Sequence, residues 1–137
     1  MNRADFQKLA RIRIKEAKAL LDRRLYGGAY YVAGYAVECA LKACIAKKTK
    51  KYEFPKKELV NQSYTHNLSQ LLRIAGLEKK QEELAAGDEV FGRKWNVVKD
   101  WSEESRYESA GEVKARELYL AIADRRCGVL QWLKTHW

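Results

Sequence analysis

The run Gly28–Ile45, GAYYVAGYAVECALKACI, constrains this chain more than any other segment. It is apolar on nearly every side at helical pitch, the pattern of a central helix buried all round rather than a surface helix with one greasy stripe. Glu38 and Lys42 nevertheless stand in its middle, four residues apart. At about 100° per residue, Tyr31, Tyr35, Glu38 and Lys42 share a narrow sector. A charge inside a bundle is costly unless it is paired. A Glu–Lys pair along one helix contributes only about 0.3–0.5 kcal/mol when exposed, too little to offset burial. The stripe therefore needs further partners: another helix through Arg13 or Arg24, a second subunit, or a ligand. An ion network of Glu38 and Lys42 with Arg13 or Arg24, holding the bundle or a dimer together, is the favoured reading.

Around this helix the periodicity is helical throughout. A first amphipathic helix runs from about Ala4 to Leu25, with Phe6, Leu9, Ala10, Ile14, Ala17, Leu20 and Leu21 on one face. Gly27-Gly28 should stop it and reverse the chain into the central helix, Tyr30 to Lys47, giving a helical hairpin. Lys47–Lys57 holds six lysines with Tyr52, Phe54 and Pro55 and reads as an exposed loop. Thr65 is an N-cap candidate for a short helix from His66 to Ala75, stopped by Gly76. Leu77–Ala86 and Glu89–Trp101 are further helices, and Ser102–Gly111 is a polar loop carrying Arg106-Tyr107. A final helix is expected from about Glu112 to Lys134. No β-alternation is sustained. The expectation is an all-α fold, one domain over residues 1–137, built as an up-and-down four-helix bundle with a short additional helix.

The composition narrows the function classes. Lys+Arg 27 against Asp+Glu 18 gives a net charge of +9, which favours polyanionic partners such as nucleic acid or an acidic protein. The lysine run, with Lys50 and Lys51 at its centre, is the best nucleic-acid patch by composition. Arg126, projected onto the apolar face of the last helix, could line a phosphate groove with Arg13 and Arg106. Cys39, Cys44 and Cys127 show neither a disulfide framework nor metal-ligand spacing, and read as core residues of a reducing, cytoplasmic compartment. Glu38, Lys42 and the basic run after them argue against a membrane span. His66 is a weak catalytic candidate, because no Asp or Cys partner lies near it in the sequence. His136 should be frayed beside the chain's end, and Trp137 exposed unless a partner covers it. No phosphate-binding loop, dinucleotide turn, nucleophile elbow or metalloprotease motif is present, so no cofactor and no metal is implied.

A Tyr-Gly-Gly turn leading into AYYVAGYAVECALKA, then Tyr64-Thr65-His66-Asn67-Leu68, then Arg106-Tyr107 before a last helix, resembles the HEPN domain family. The resemblance spans essentially the whole chain and is carried mainly by the Ala-Gly-Tyr-Ala-x-Glu-x-x-Leu-Lys run. It implies a four-helix bundle, frequently dimeric, from toxin–antitoxin and defence systems, often beside a small nucleotidyltransferase. Ribonuclease members of the family carry an arginine followed after four to six intervening residues by a histidine. Here the positions before His66 are Leu59, Val60 and Asn61, and those before His136 are Val129, Leu130 and Gln131. The motif is absent, and Arg106-Tyr107 resembles instead the Arg-Tyr pair of nucleotidyltransferase-associated members. The resemblance thus implies a non-catalytic nucleotide- or RNA-associated module, working as a homodimer beside a nucleotidyltransferase. A diverged metal-independent endoribonuclease using His66 with Arg106 and Tyr107, and a purely structural dimerisation domain, are the alternatives.

Overall fold

Asn2 opens the first helix, α1 (Arg3–Asp22), with a capping box: its side chain accepts from the Asp5 N–H at 2.9 Å and its own N–H donates to the Asp5 carboxylate at 3.0 Å. This is a computed structural model, and it describes residues 1–49 and 61–137. Lys50, Lys51 and the rest of the lysine run through Lys57 lie outside the described residues, as do Leu59 and Val60.

The helix stop expected at Gly27-Gly28 falls earlier, on a residue that is not glycine. Leu25 N–H donates to Leu20 O at 2.9 Å and Arg24 N–H to Leu21 O at 3.1 Å, the paired bonds of a Schellman ending. Arg24 takes the left-handed position these bonds require, with φ 61°. Gly27 and Gly28 lie instead in the first turn of α2 (Tyr26–Lys47).

Helix α2 occupies the middle of the molecule. Ala33, Ala36, Val37, Ala40, Leu41 and Ala43 are wholly excluded from solvent. It packs against α1, α3 (Leu68–Ile74), the 3-10 helix Glu103–Tyr107, α6 (Glu112–Ala123) and α7 (Val129–Lys134), while α4 (Glu78–Gly87) and α5 (Glu89–Lys99) complete the shell. Small residues let the neighbours approach the α2 backbone closely. Phe91, Leu68, Leu71, Leu118, Ile122 and Leu133 fill the space between helices. No strand occurs among the described residues, and the fold is all-α. No helix among them is long and apolar enough to cross a membrane.

Four further expectations are corrected. Asn67, not Thr65, caps α3, accepting from Gln70 N–H at 3.0 Å; the Thr65 hydroxyl accepts from Asn67 N–H and bonds Gln70. The stretch Ser102–Gly111 contains a 3-10 helix. The single last helix is broken between Ala123 and Val129. Asp124 leaves the helical region (ψ 128°), and its carboxylate accepts from the N–H groups of Arg126 and Cys127, an alternative to helical bonding that aspartate offers readily. Gly128 then passes so close to Ile122 O and Asp124 O that no β-carbon would fit. The break brings α7 and the end of the chain back onto the core. Trp137 is buried at 9% exposure and His136 packs edge-to-face on Trp132 at 5.1 Å, so neither is frayed.

Candidate functional site

The polar stripe of α2 forms a continuous site with residues from two other segments. Glu38 is 2% exposed, and both its carboxylate oxygens are engaged. Oε2 accepts from Lys42 Nζ at 3.3 Å, and Oε1 lies 2.8 Å from His66 Nδ1. The other ring nitrogen, His66 Nε2, lies 3.2 Å from Glu103 Oε2 in the 3-10 helix. His66 therefore ties α2 to the segment that also carries Arg106 and Tyr107. The contact made by His66 is long-range, to a carboxylate 28 residues away in the chain.

Above this tie the stripe continues as aromatic surface. Tyr31 stacks on Tyr35 at 6.2 Å and on Trp101 at 6.1 Å, and the Arg13 guanidinium stands 5.8 Å over the Tyr35 ring. Trp101 lies flat against the α2 backbone at Gly34, where a β-carbon would occupy the space of its indole. Its Nε1–H is buried and has no partner among the described residues. A shallow depression of about 250 Å³ opens beside these groups, lined by Thr65, His66, Asn67, Trp101 and Ser102 to Glu104.

Burial pushes the Cys39 thiol up to about 11; Glu38 adds to the rise, and Lys42 and Arg13 oppose it. Burial likewise raises the Tyr35 hydroxyl, reinforced by Cys39 and Glu38. Neither group is a nucleophile at neutral pH. Glu38, Glu103 and Glu104 against Lys42 and His66 leave no surplus of positive charge to attract phosphate at this spot. With a carboxylate at each ring nitrogen, His66 has no free nitrogen to serve as a base while both contacts stand.

Among the described residues, Arg13 is the one remaining sequence candidate that reaches this stripe, over the Tyr35 ring. Arg13 forms its ion pair with Glu16 at 2.9 Å, so the expected Glu38–Lys42–Arg13 network closes through His66 and Glu103 instead. Arg13 is near enough to act on Tyr35 and Cys39 through its charge alone. Arg106 and Tyr107 are exposed and lie against each other, the guanidinium 4.7 Å over the ring. Arg126 is exposed in the turn between α6 and α7 rather than on an apolar helix face, because the helix it was projected onto ends at Ala123. Glu103 was missed altogether. It sits in a polar stretch with Glu104 and Glu108, and no local pattern singles it out.

No group of His, Cys, Asp and Glu that could hold a metal occurs among the described residues. No curated protein and no solved structure shows significant similarity to the chain. A family model for the HEPN domain matches residues 5–134. That span takes in the central helix with its Glu38–Lys42 stripe, His66 and the Arg106-Tyr107 pair, and its all-α character is that of the fold: the chain belongs to the HEPN domain family.

Proposed function

We propose that this protein is a nucleotide- or RNA-associated HEPN module that does not cut its ligand. In this reading it acts beside a small nucleotidyltransferase in a toxin–antitoxin or defence pair. The observation that carries the non-catalytic part is the state of His66. It has no arginine at the ribonuclease spacing, and each of its ring nitrogens lies against a carboxylate, of Glu38 and of Glu103. General acid–base catalysis needs a ring nitrogen within reach of substrate. Family membership supports the nucleotide or RNA association. Arg106, Tyr107 and Arg126, exposed on two separate segments, are proposed as contacts to that ligand, together with Lys50 and Lys51. The module is further proposed to work as a homodimer.

Incubation of the full chain with mixed-sequence RNA in the presence of chelator tests this directly. Intact RNA with retarded mobility is the expected result. Cleavage that His66→Ala abolishes would overturn it in favour of a diverged ribonuclease. Sedimentation at tens of micromolar, roughly the range of weak-dimer affinities, checks the homodimer.

A further inference from the structure

His66 meets a carboxylate on each side, and the charge of its ring decides whether it can hold both. Nδ1 lies 2.8 Å from Glu38 Oε1, and Nε2 lies 3.2 Å from Glu103 Oε2. Carboxylate oxygens only accept, so both contacts are hydrogen bonds only when both ring nitrogens carry a proton. A neutral ring has one proton to give and must turn a bare lone pair toward the other carboxylate. The two carboxylates are not equal claimants. Glu38 is buried at 2% exposure and cannot fall back on water, whereas the Glu103 side chain is 39% exposed and can. The proton that remains therefore stays at Nδ1, and Glu103 is the contact that is lost.

That contact carries more than one side chain. Among the described residues, no other hydrogen bond or ion pair joins the 3-10 helix Glu103–Tyr107 to a different part of the molecule; its remaining bonds run to its own neighbours Ser102 and Glu108. The same stretch of chain holds two buried side-chain atoms without a partner among the described residues, Trp101 Nε1 and Ser105 Oγ. A buried polar group without a partner favours any arrangement that lets it reach water. The closed position of this segment is thus opposed from within and held by an ion contact that one proton controls.

We propose that His66 is a proton-operated latch on the segment that displays Arg106 and Tyr107. Charged, the ring ties Glu38 to Glu103 and holds the 3-10 helix closed on α2. Neutral, it keeps Glu38 and releases Glu103, and the 3-10 helix opens toward solvent. The charges facing the ring are Glu38 and Lys42 from α2 and Glu103 and Glu104 from the 3-10 helix. Arg13 of α1 is engaged with Glu16 and Tyr35, and Arg73 of α3 with Glu78. Imidazole changes charge between about pH 5 and 8, so the latch holds at the acid end of that range and is lost as pH rises. Such a charge change acting on a segment with two positions is a common form of switch. It sets how Arg106 and Tyr107 are displayed whatever they contact, and does not rest on RNA association.

NMR of the isotope-labelled full chain between roughly pH 5 and 8 tests it, with His136→Gln to assign the second histidine. As the His66 ring becomes neutral it should lose the proton at Nε2 and keep the one at Nδ1. Over the same titration the Ser105 and Glu108 amides, corrected for intrinsic exchange rates, should lose about tenfold or more in protection, the effect of one hydrogen bond to a charged group. Amides in α2 should not change, which establishes that the fold is intact. Glu103→Gln should abolish the pH dependence of the two amides while His66 still titrates, because a carboxamide can accept from the charged ring or donate to the neutral one. A neutral ring protonated at Nε2 would overturn the proposal, since Glu103 would then be the contact kept. So would protection that stays flat through the titration, or that falls equally in Glu103→Gln. RNA binding enters none of these readouts, so their failure leaves the RNA-associated reading untouched.

Discussion

Gly34 and Trp101 are packed so closely that the indole of one occupies the place where the other would carry a side chain. Trp101 gains a flat seat on the α2 backbone, and its Nε1–H has no hydrogen-bond partner among the described residues. We expect Gly34→Ala to destabilise the protein by about 1–3 kcal/mol, since the methyl must displace the ring. Trp101→Ala should cost about 3–5 kcal/mol as a large buried side chain is lost. The double variant should cost much less than the sum, because either change alone ends the contact. Urea unfolding of the four proteins checks this, and strict additivity would refute it.

The Glu38 tie is asymmetric, and its asymmetry can be measured. Glu38 is buried, whereas the His66 side chain is 42% exposed and the Lys42 side chain 16%. Removing His66 and Lys42 strands a carboxylate in the core; removing the charge of Glu38 leaves two groups that can still reach water. His66→Leu/Lys42→Met should therefore cost more than Glu38→Gln, by about 1–3 kcal/mol, although both end the same ion contacts. Equal losses would mean that Glu38 is solvated in solution.

Arg24 occupies a backbone conformation that costs an L-residue with a β-carbon roughly 1–2 kcal/mol. Arg24→Gly should stabilise the protein by a few tenths to about 1 kcal/mol, the relief being partly offset by the freedom glycine gains when unfolded. A lower denaturation midpoint would show that the arginine side chain contributes more than its backbone costs.

Hydrogen bonds from the Arg126 N–H, from Lys94 and from the Cys127 N–H hold the Asp124 carboxyl down to about 2 from an ordinary 3.8. A depressed carboxyl stabilises the fold above its unfolded value, and that contribution is lost as pH falls through the folded one. The stability difference between the wild type and Asp124→Asn should thus be constant at neutral pH and shrink between about pH 4 and 2. The carboxyl carbon shift of Asp124 should titrate with a midpoint near the lower limit. A midpoint near 4 would show that the turn does not hold its bonds in solution.

Helical periodicity made the all-α character and the central place of α2 legible, because burial on every side leaves an unmistakable run of small and apolar residues. The need for a partner at Glu38 was legible too, but not its identity. His66 and Glu103 come from segments whose approach is fixed by tertiary packing, and neither stands in a local pattern. The end of the first helix was read from glycines, but Arg24 accepted the left-handed position that Gly27 and Gly28 were expected to fill. The last helix was read straight through Gly128, and Asp124 broke it through its own side chain. Missing that break also misplaced Arg126, His136 and Trp137.

Because α2 is apolar nearly all round, oil-like packing alone scarcely distinguishes one rotation of this helix about its axis from another. Two residues on the same flank remove that degeneracy. Turning the helix by a fraction of a turn would put a side chain under Trp101 in place of Gly34 and would swing the Glu38 carboxylate away from His66 into hydrocarbon. The angular setting of the helix is thereby selected by one missing atom and one buried charge. The rest of the core can then be assembled from small interchangeable residues without loss of a single native arrangement.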